Sequence, residues 1–182
     1  VKELISAGMW NSISRLSQVL SDGLDLVITN IWISAYLMGE LSIAQQIPTY
    51  ISTLTNTLIN LFSPNLTMYY AKDDTEAVVK ELKLSMKFSS FFVNIIFCIL
   101  VIFGKYFMQL WVPNQDVNLI YSLLVVIMMS LLVSGVTTSL NNVFLVTNRL
   151  KVNSIFWLII SFTNVLLVFI FLNTTSLGIY AV

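Results

Sequence analysis

Polar side chains return at every third or fourth position from Asn11 to Thr29 (NSISRLSQVLSDGLDLVIT). At 100° per residue, Asn11, Arg15, Gln18, Asp22, Asp25 and Thr29 share an arc of roughly 80°, with Ile13, Leu16, Leu20, Leu24, Val27 and Ile31 opposite. The spacing predicts an amphipathic helix. A second such helix follows, in which Gln45, Thr49, Ser52, Asn56, Asn60, Ser63 and Thr67 again fall within an arc of about 80°. Beyond Lys87 the pattern changes. The stretches FFVNIIFCILVIF and IFWLIISFTNVLLVFIFL are apolar nearly all round, as lipid-facing packing helices are. Between them lies a mixed segment whose polar residues (Ser134, Thr137, Thr138, Ser139, Asn141, Asn142) crowd toward its end.

Set against the roughly 20 residues that a bilayer requires, the pattern divides into five spans at 9–37, 41–70, 87–103, 117–146 and 154–172, with the start of a sixth at 178. A Gly39-Glu40 turn separates the first two, with Ser42 as N-cap of the second. Pro48 and Pro64 are expected to bend or break that second helix near its ends. An amphipathic surface turn over 75–86 precedes the third span. The fold class is all-α, a polytopic transmembrane helical bundle. Because the sequence opens at Val1 and stops as LGIYAV begins a new apolar segment, it reads as an internal piece of a longer polytopic protein.

Composition agrees. Of the 182 residues, 57% are apolar and 10% charged, with mean hydropathy +0.87, whereas soluble domains carry about 25% charged residues. Nine basic residues balance nine acidic ones, which argues against a nucleic-acid partner. There is no histidine, and the one cysteine, Cys98, sits in an apolar run. A His/Cys metal cluster, a disulfide within this chain and a histidine-dependent catalytic triad are thereby excluded. No glycine-rich phosphate loop occurs, so no nucleotide or other cofactor is expected. Lys2, Lys72, Lys80, Lys83, Lys87, Arg149 and Lys151, seven of the nine basic residues, fall on one side of the alternating spans. They mark the cytoplasmic face and place the chain in the cell membrane. Trp111 and Tyr106 suit the outer interface, Tyr69 and Tyr70 the inner one.

Charges within spans carry the functional argument, because each costs about 3 kcal/mol at a helix centre on insertion scales. Asp22 and Asp25 lie mid-span and Arg15 two turns nearer the cytoplasm, so all three must face protein or a water-filled cavity. A structural alternative is that they satisfy one another across helices. On one helix Arg15 and Asp22 are about 10 Å apart in rise, too far for a direct bond. Asp22 and Asp25, three residues apart, repel, which makes a proton retained on one of them a candidate for proton coupling. Two consecutive helices with long polar faces would form one wall of a hydrophilic cleft. Hydroxyl and amide groups such as those of Asn56 and Asn60 suit sugars, and the guanidinium of Arg15 suits a phosphate.

The order of these features resembles a known family. The opening GMWNSISRLSQVLSDGLDLVITNIWISAYLMGELSIAQQIP is similar to the start of the second half of polysaccharide flippases, the Wzx-like branch of the MOP superfamily, relatives of the MATE exporters. The similarity continues through FSPNLTMYYAKDD, FGKYFMQLWVPNQD, NNVFLVTNRLKVNS and LGIYAV, and so covers essentially the whole chain. It implies a two-lobe transporter of which this chain is approximately the second lobe. Such proteins move undecaprenyl-diphosphate-linked oligosaccharide across the cytoplasmic membrane by alternating access. The implied partners are the bilayer, the lipid-linked oligosaccharide, a coupling ion (proton or sodium) and the remaining lobe. The first helix of each lobe lines the central cavity, where Arg15, Gln18, Asp22 and Asp25 fall. Two aspartates against one arginine leave the other lobe to supply positive charge for a diphosphate.

Two rival readings stand beside this one. A MATE-type exporter of small cations would also suit Asp22 and Asp25. A membrane-embedded glycosyl- or acyltransferase would need acid/base groups near the membrane surface. The only cluster there is Asp73, Asp74, Glu76 and Glu81, interleaved with lysines as on a solvated helix face. The expectation is therefore a transporter and not an enzyme.

Overall fold

The computed structural model describes residues 8–10, 12, 16, 17, 19, 23–147, 150–175 and 177–182. Among them there is no strand, and the regular elements are helical. We number them α1 (Gly23–Ile33), α2 (Ala35–Asn60), α3 (Ser63–Ala71), α4 (Thr75–Trp111), α5 (Val117–Val146) and α6 (Leu150–Thr174), followed by a 3-10 turn, Gly178–Ala181. The chain divides into two compact units, one of residues 1–39 with 148–182 and the other of residues 40–147.

The first break comes earlier than the sequence predicts. α1 widens into a π-helix over Thr29–Ile33 and ends at Ser34, whose backbone is extended (φ −171°, ψ 154°). Ser34 Oγ accepts the Leu37 N–H at 3.1 Å and so caps α2. The expected Gly39-Glu40 turn and Ser42 cap are thus corrected: α2 runs through all three residues. Once Ser34 has started the helix on Ala-Tyr-Leu-Met, a single glycine costs only about 1 kcal/mol and does not stop it. Pro48 is buried inside α2 without ending it, whereas Pro64 falls in the first turn of α3, after α2 closes at Asn60. The expected span at 41–70 is therefore two helices.

The surface turn over 75–86 and the span at 87–103 are likewise corrected, into one helix of 37 residues. Asp74 caps it, accepting the Ala77 N–H at 2.9 Å. At 1.5 Å per residue α4 is about 55 Å long, well beyond a hydrocarbon core of about 30 Å. Its lysine-rich first turns extend past the apolar stretch, and there Glu81 Oε1 accepts an amide N–H of Asn65 on α3 at 2.9 Å.

Among the described residues, three helices rather than five are long and apolar enough to cross a membrane: α4, α5 and α6. The described part of α1 is short, and the hydroxyl and amide side chains of α2 lower its hydropathy. Only 11%, 28% and 6% of the most apolar stretches of α4, α5 and α6 are buried within the chain. Phe91, Ile102 and Leu110 of α4 and Phe162 of α6 lie exposed. Apolar surface on this scale needs lipid around it, and the chain is a multi-pass membrane protein.

In the second unit α4 and α5 pack antiparallel along a seam of small residues. Ser85 Oγ and Ser139 Oγ meet at 3.1 Å, both buried. Gly135 lets Val93 approach so closely that a Cβ there would lie 3.0 Å from Val93 Cγ2. Gly104 admits the Tyr121 ring, whose hydroxyl donates to the Val101 carbonyl at 2.8 Å. Met108, Ile120, Leu124 and Met128 fill the rest, and α3 packs on both helices through Leu66. Lipid offers helices no hydrophobic reason to associate, so close packing and hydrogen bonds hold this pair together.

In the first unit α6 runs parallel to the leading segment. Ser154 Oγ donates to the Trp10 carbonyl at 2.7 Å and Ser161 Oγ to that of Ser17 at 3.3 Å. Farther along, the rings of Trp32 and Phe169 meet edge to face at 5.1 Å. The Lys151 ammonium lies over the Trp10 ring, 5.6 Å from its centre.

Candidate functional site: the polar face of α2

α2 is two-faced. Glu40, Leu41, Ala44, Pro48, Ile51, Thr55 and Ile59 are buried, stepping by one helical turn. Both ends of this buried stripe are tied to α5. Glu40 Oε1 accepts the N–H of Asp116, just ahead of α5, at 3.4 Å, and Asn142 donates to the Ile59 carbonyl at 3.5 Å. α2 and α5 therefore run parallel and are joined at both ends of the stripe, although the composition of α2 is too polar to mark it as a span.

The other face is an uncharged polar strip. Gln45, Gln46, Thr49, Ser52, Thr53, Asn56, Thr57 and Asn60 occupy an arc of about 140° over about 22 Å of helix. All are exposed except Gln45 and Ser52, which are half-buried. Three threonines form a ladder of back-bonds, Thr49 to the Gln45 carbonyl (2.7 Å), Thr53 to Thr49 (2.9 Å) and Thr57 to Thr53 (2.9 Å). Each hydroxyl proton is thus spent on the helix, and its oxygen faces outward as an acceptor. Asn56 and Asn60 supply donors as well: among the described residues no hydrogen bond engages either amide. The strip can accept and donate at neighbouring positions, the pattern that a polyhydroxyl ligand or a file of water requires.

The other residues singled out in the sequence fare differently. Arg15, Gln18 and Asp22 lie outside the described residues. Asp25 is half-buried in α1, and its main-chain carbonyl accepts the hydroxyl of the buried Thr29 at 2.7 Å where the π-helix begins. Asp25 belongs to the first unit, Asn56 and Asn60 to the second. Among the described residues no three His, Cys, Asp or Glu side chains converge as metal ligands. An open groove of about 460 Å³ lies beside Lys87, Ser90, Phe91, Asn94 and Val136. Its asparagine amide is already bonded to the Ser90 carbonyl at 2.7 Å, so the groove offers less than the α2 strip.

Sequence reasoning missed three members of the strip and one carboxylate. Gln46, Thr53 and Thr57 widen the polar face, and a broader arc would have included them. Glu40, assigned to a turn, is one of the most buried polar side chains, at 1% exposure. Nothing in its spacing distinguishes it from a loop acid.

No family model matches the chain, and no solved structure matches it. It is similar to a Bacillus subtilis (strain 168) protein described as uncharacterized membrane protein EpsK, at 25% identity over 181 residues. The similarity covers 100% of this chain and 36% of EpsK, so the chain spans about a third of the length of that relative. An all-helical, multi-pass architecture and a bacterial membrane protein as relative point the same way, to an integral membrane protein.

Proposed function

We propose that the chain forms part of a transporter, and that the cargo is an undecaprenyl-diphosphate-linked oligosaccharide moved across the cytoplasmic membrane by alternating access for cell-surface polysaccharide. One observation carries the reading: α2 keeps an unbroken strip of hydroxyl and amide groups exposed along the length of a unit whose other surfaces suit lipid. Such a strip is unfavourable against hydrocarbon and useful beside water or sugar. Asn56 and Asn60 are its sugar contacts. We assign Arg15 to the diphosphate or a counter-ion, Gln18 to the substrate pathway, and Asp22 and Asp25 to ion coupling. The chain's part in the process is translocation, without bond chemistry.

The test is made in the cell that expresses the full-length protein. After its deletion, lipid-linked intermediates are extracted and their leaflet is determined by access to an externally added glycosidase. Complete units trapped on the cytoplasmic side are expected. Incomplete units would point to an enzyme, and normal surface glycan with no trapped lipid would remove the reading in favour of small-molecule export.

A further inference from the structure

Glu40 is buried without adequate partners. Its side chain is 1% exposed, and among the described residues Oε1 receives only the Asp116 N–H at 3.4 Å and Oε2 has no hydrogen-bond partner. A carboxylate withdrawn from water needs strong donors or a counter-charge, and one long main-chain contact supplies neither. The N-terminal end of α5 favours an anion here. Asp116, however, already occupies that end, its Oδ1 accepting the N–H groups of Asn118 and Leu119 at 3.1 Å each. Other titratable groups on the surrounding elements leave Glu40 unrelieved. Lys105 and Tyr106 on α4 are exposed, and Tyr121 on α5 gives its hydroxyl to Val101. A buried carboxylate with one free oxygen therefore stands beside an exposed one, at the end of the second unit opposite the lysine-rich α3–α4 connection.

We propose that Glu40 Oε2 holds a monovalent cation, a proton or Na⁺, with Asp116 as the exposed acid beside it. Neutralising Glu40 removes the cost of keeping its charge out of water. The proposal rests on the transporter reading only in making this cation a coupling ion, held at a second acidic site besides Asp22 and Asp25; binding itself is independent of it.

The full-length protein, purified in detergent, is titrated with radiolabelled Na⁺ at fixed pH and, without Na⁺, with acid while the carbonyl band of a protonated carboxyl is followed by difference infrared spectroscopy. Wild type should show one of the two signals, Glu40→Gln should lose it, and Glu40→Asp, which keeps the charge with a shorter reach, should show it weakened. Thermal unfolding checks that each variant is folded; should Glu40→Gln fail to fold, Glu40→Asp alone decides, by a shifted titration midpoint. Identical titrations in wild type and variants, or neither signal in wild type, would overturn the site. Glu40-dependent binding in a protein whose deletion traps no glycolipid would keep the site and remove the transporter reading. Trapped glycolipid with titrations indifferent to Glu40 would do the reverse.

Discussion

Ser139 and Asn56 are both small polar residues on long helices, and their surroundings give them opposite roles. Ser139 is fully buried against Ser85, so Ser139→Ala strands a hydroxyl and should cost about 0.6–1 kcal/mol, read as a lower unfolding temperature in detergent. Adding Ser85→Ala removes the stranded group and should recover most of that loss. Asn56→Ala and Asn60→Ala touch exposed amides without a hydrogen-bond partner among the described residues, and should stay within about 0.5 kcal/mol of wild type. Their effect should fall on glycolipid translocation instead, as accumulation of cytoplasmic-side intermediates. The Asn56 and Asn60 stripe was legible because period alone places residues on a face. Glu40 was not, since its burial is a matter of tertiary packing, and the Asp116 N–H that it meets lies far away in sequence.

At the level of elements, legibility followed the strength of local stop signals. α5 occupies Val117–Val146, the range the pattern predicts, because Asp116 caps its start and its apolar run is long. The α1–α2 break was misplaced because Ser34 and Ser42 are chemically equivalent caps and only one is used. Ser34→Ala should therefore destabilise by about 1 kcal/mol, while Ser42→Ala should not. α4 ran on because nothing between Thr75 and Phe103 is a proline or glycine, so a surface helix and a membrane helix share one axis. Its contact with α5 is the tightest joint in the unit. Gly135→Leu should overpack it by about 1–3 kcal/mol, and adding Val93→Ala, which empties the space facing Gly135, should restore part of the stability.

For the molecule as a whole, membrane character was plain from composition, and the apolar surfaces of α4, α5 and α6 express it. The number of spans was harder to read, because α2 gives up apolarity for its polar strip and no longer carries the compositional mark of a membrane helix. That strip is the centre of the account, and its access to water can be measured directly. With Cys98 and every other native cysteine replaced by serine, single cysteines are placed along α2 of the full-length protein in membranes and challenged with a charged maleimide. Cysteines at 49, 53, 56 and 60 should react, and bound lipid-linked oligosaccharide should slow them; those at 44, 51 and 59 should stay unreactive. Uniformly unreactive positions at 49, 53, 56 and 60 would place the strip against protein or lipid and contradict a hydrophilic pathway along α2.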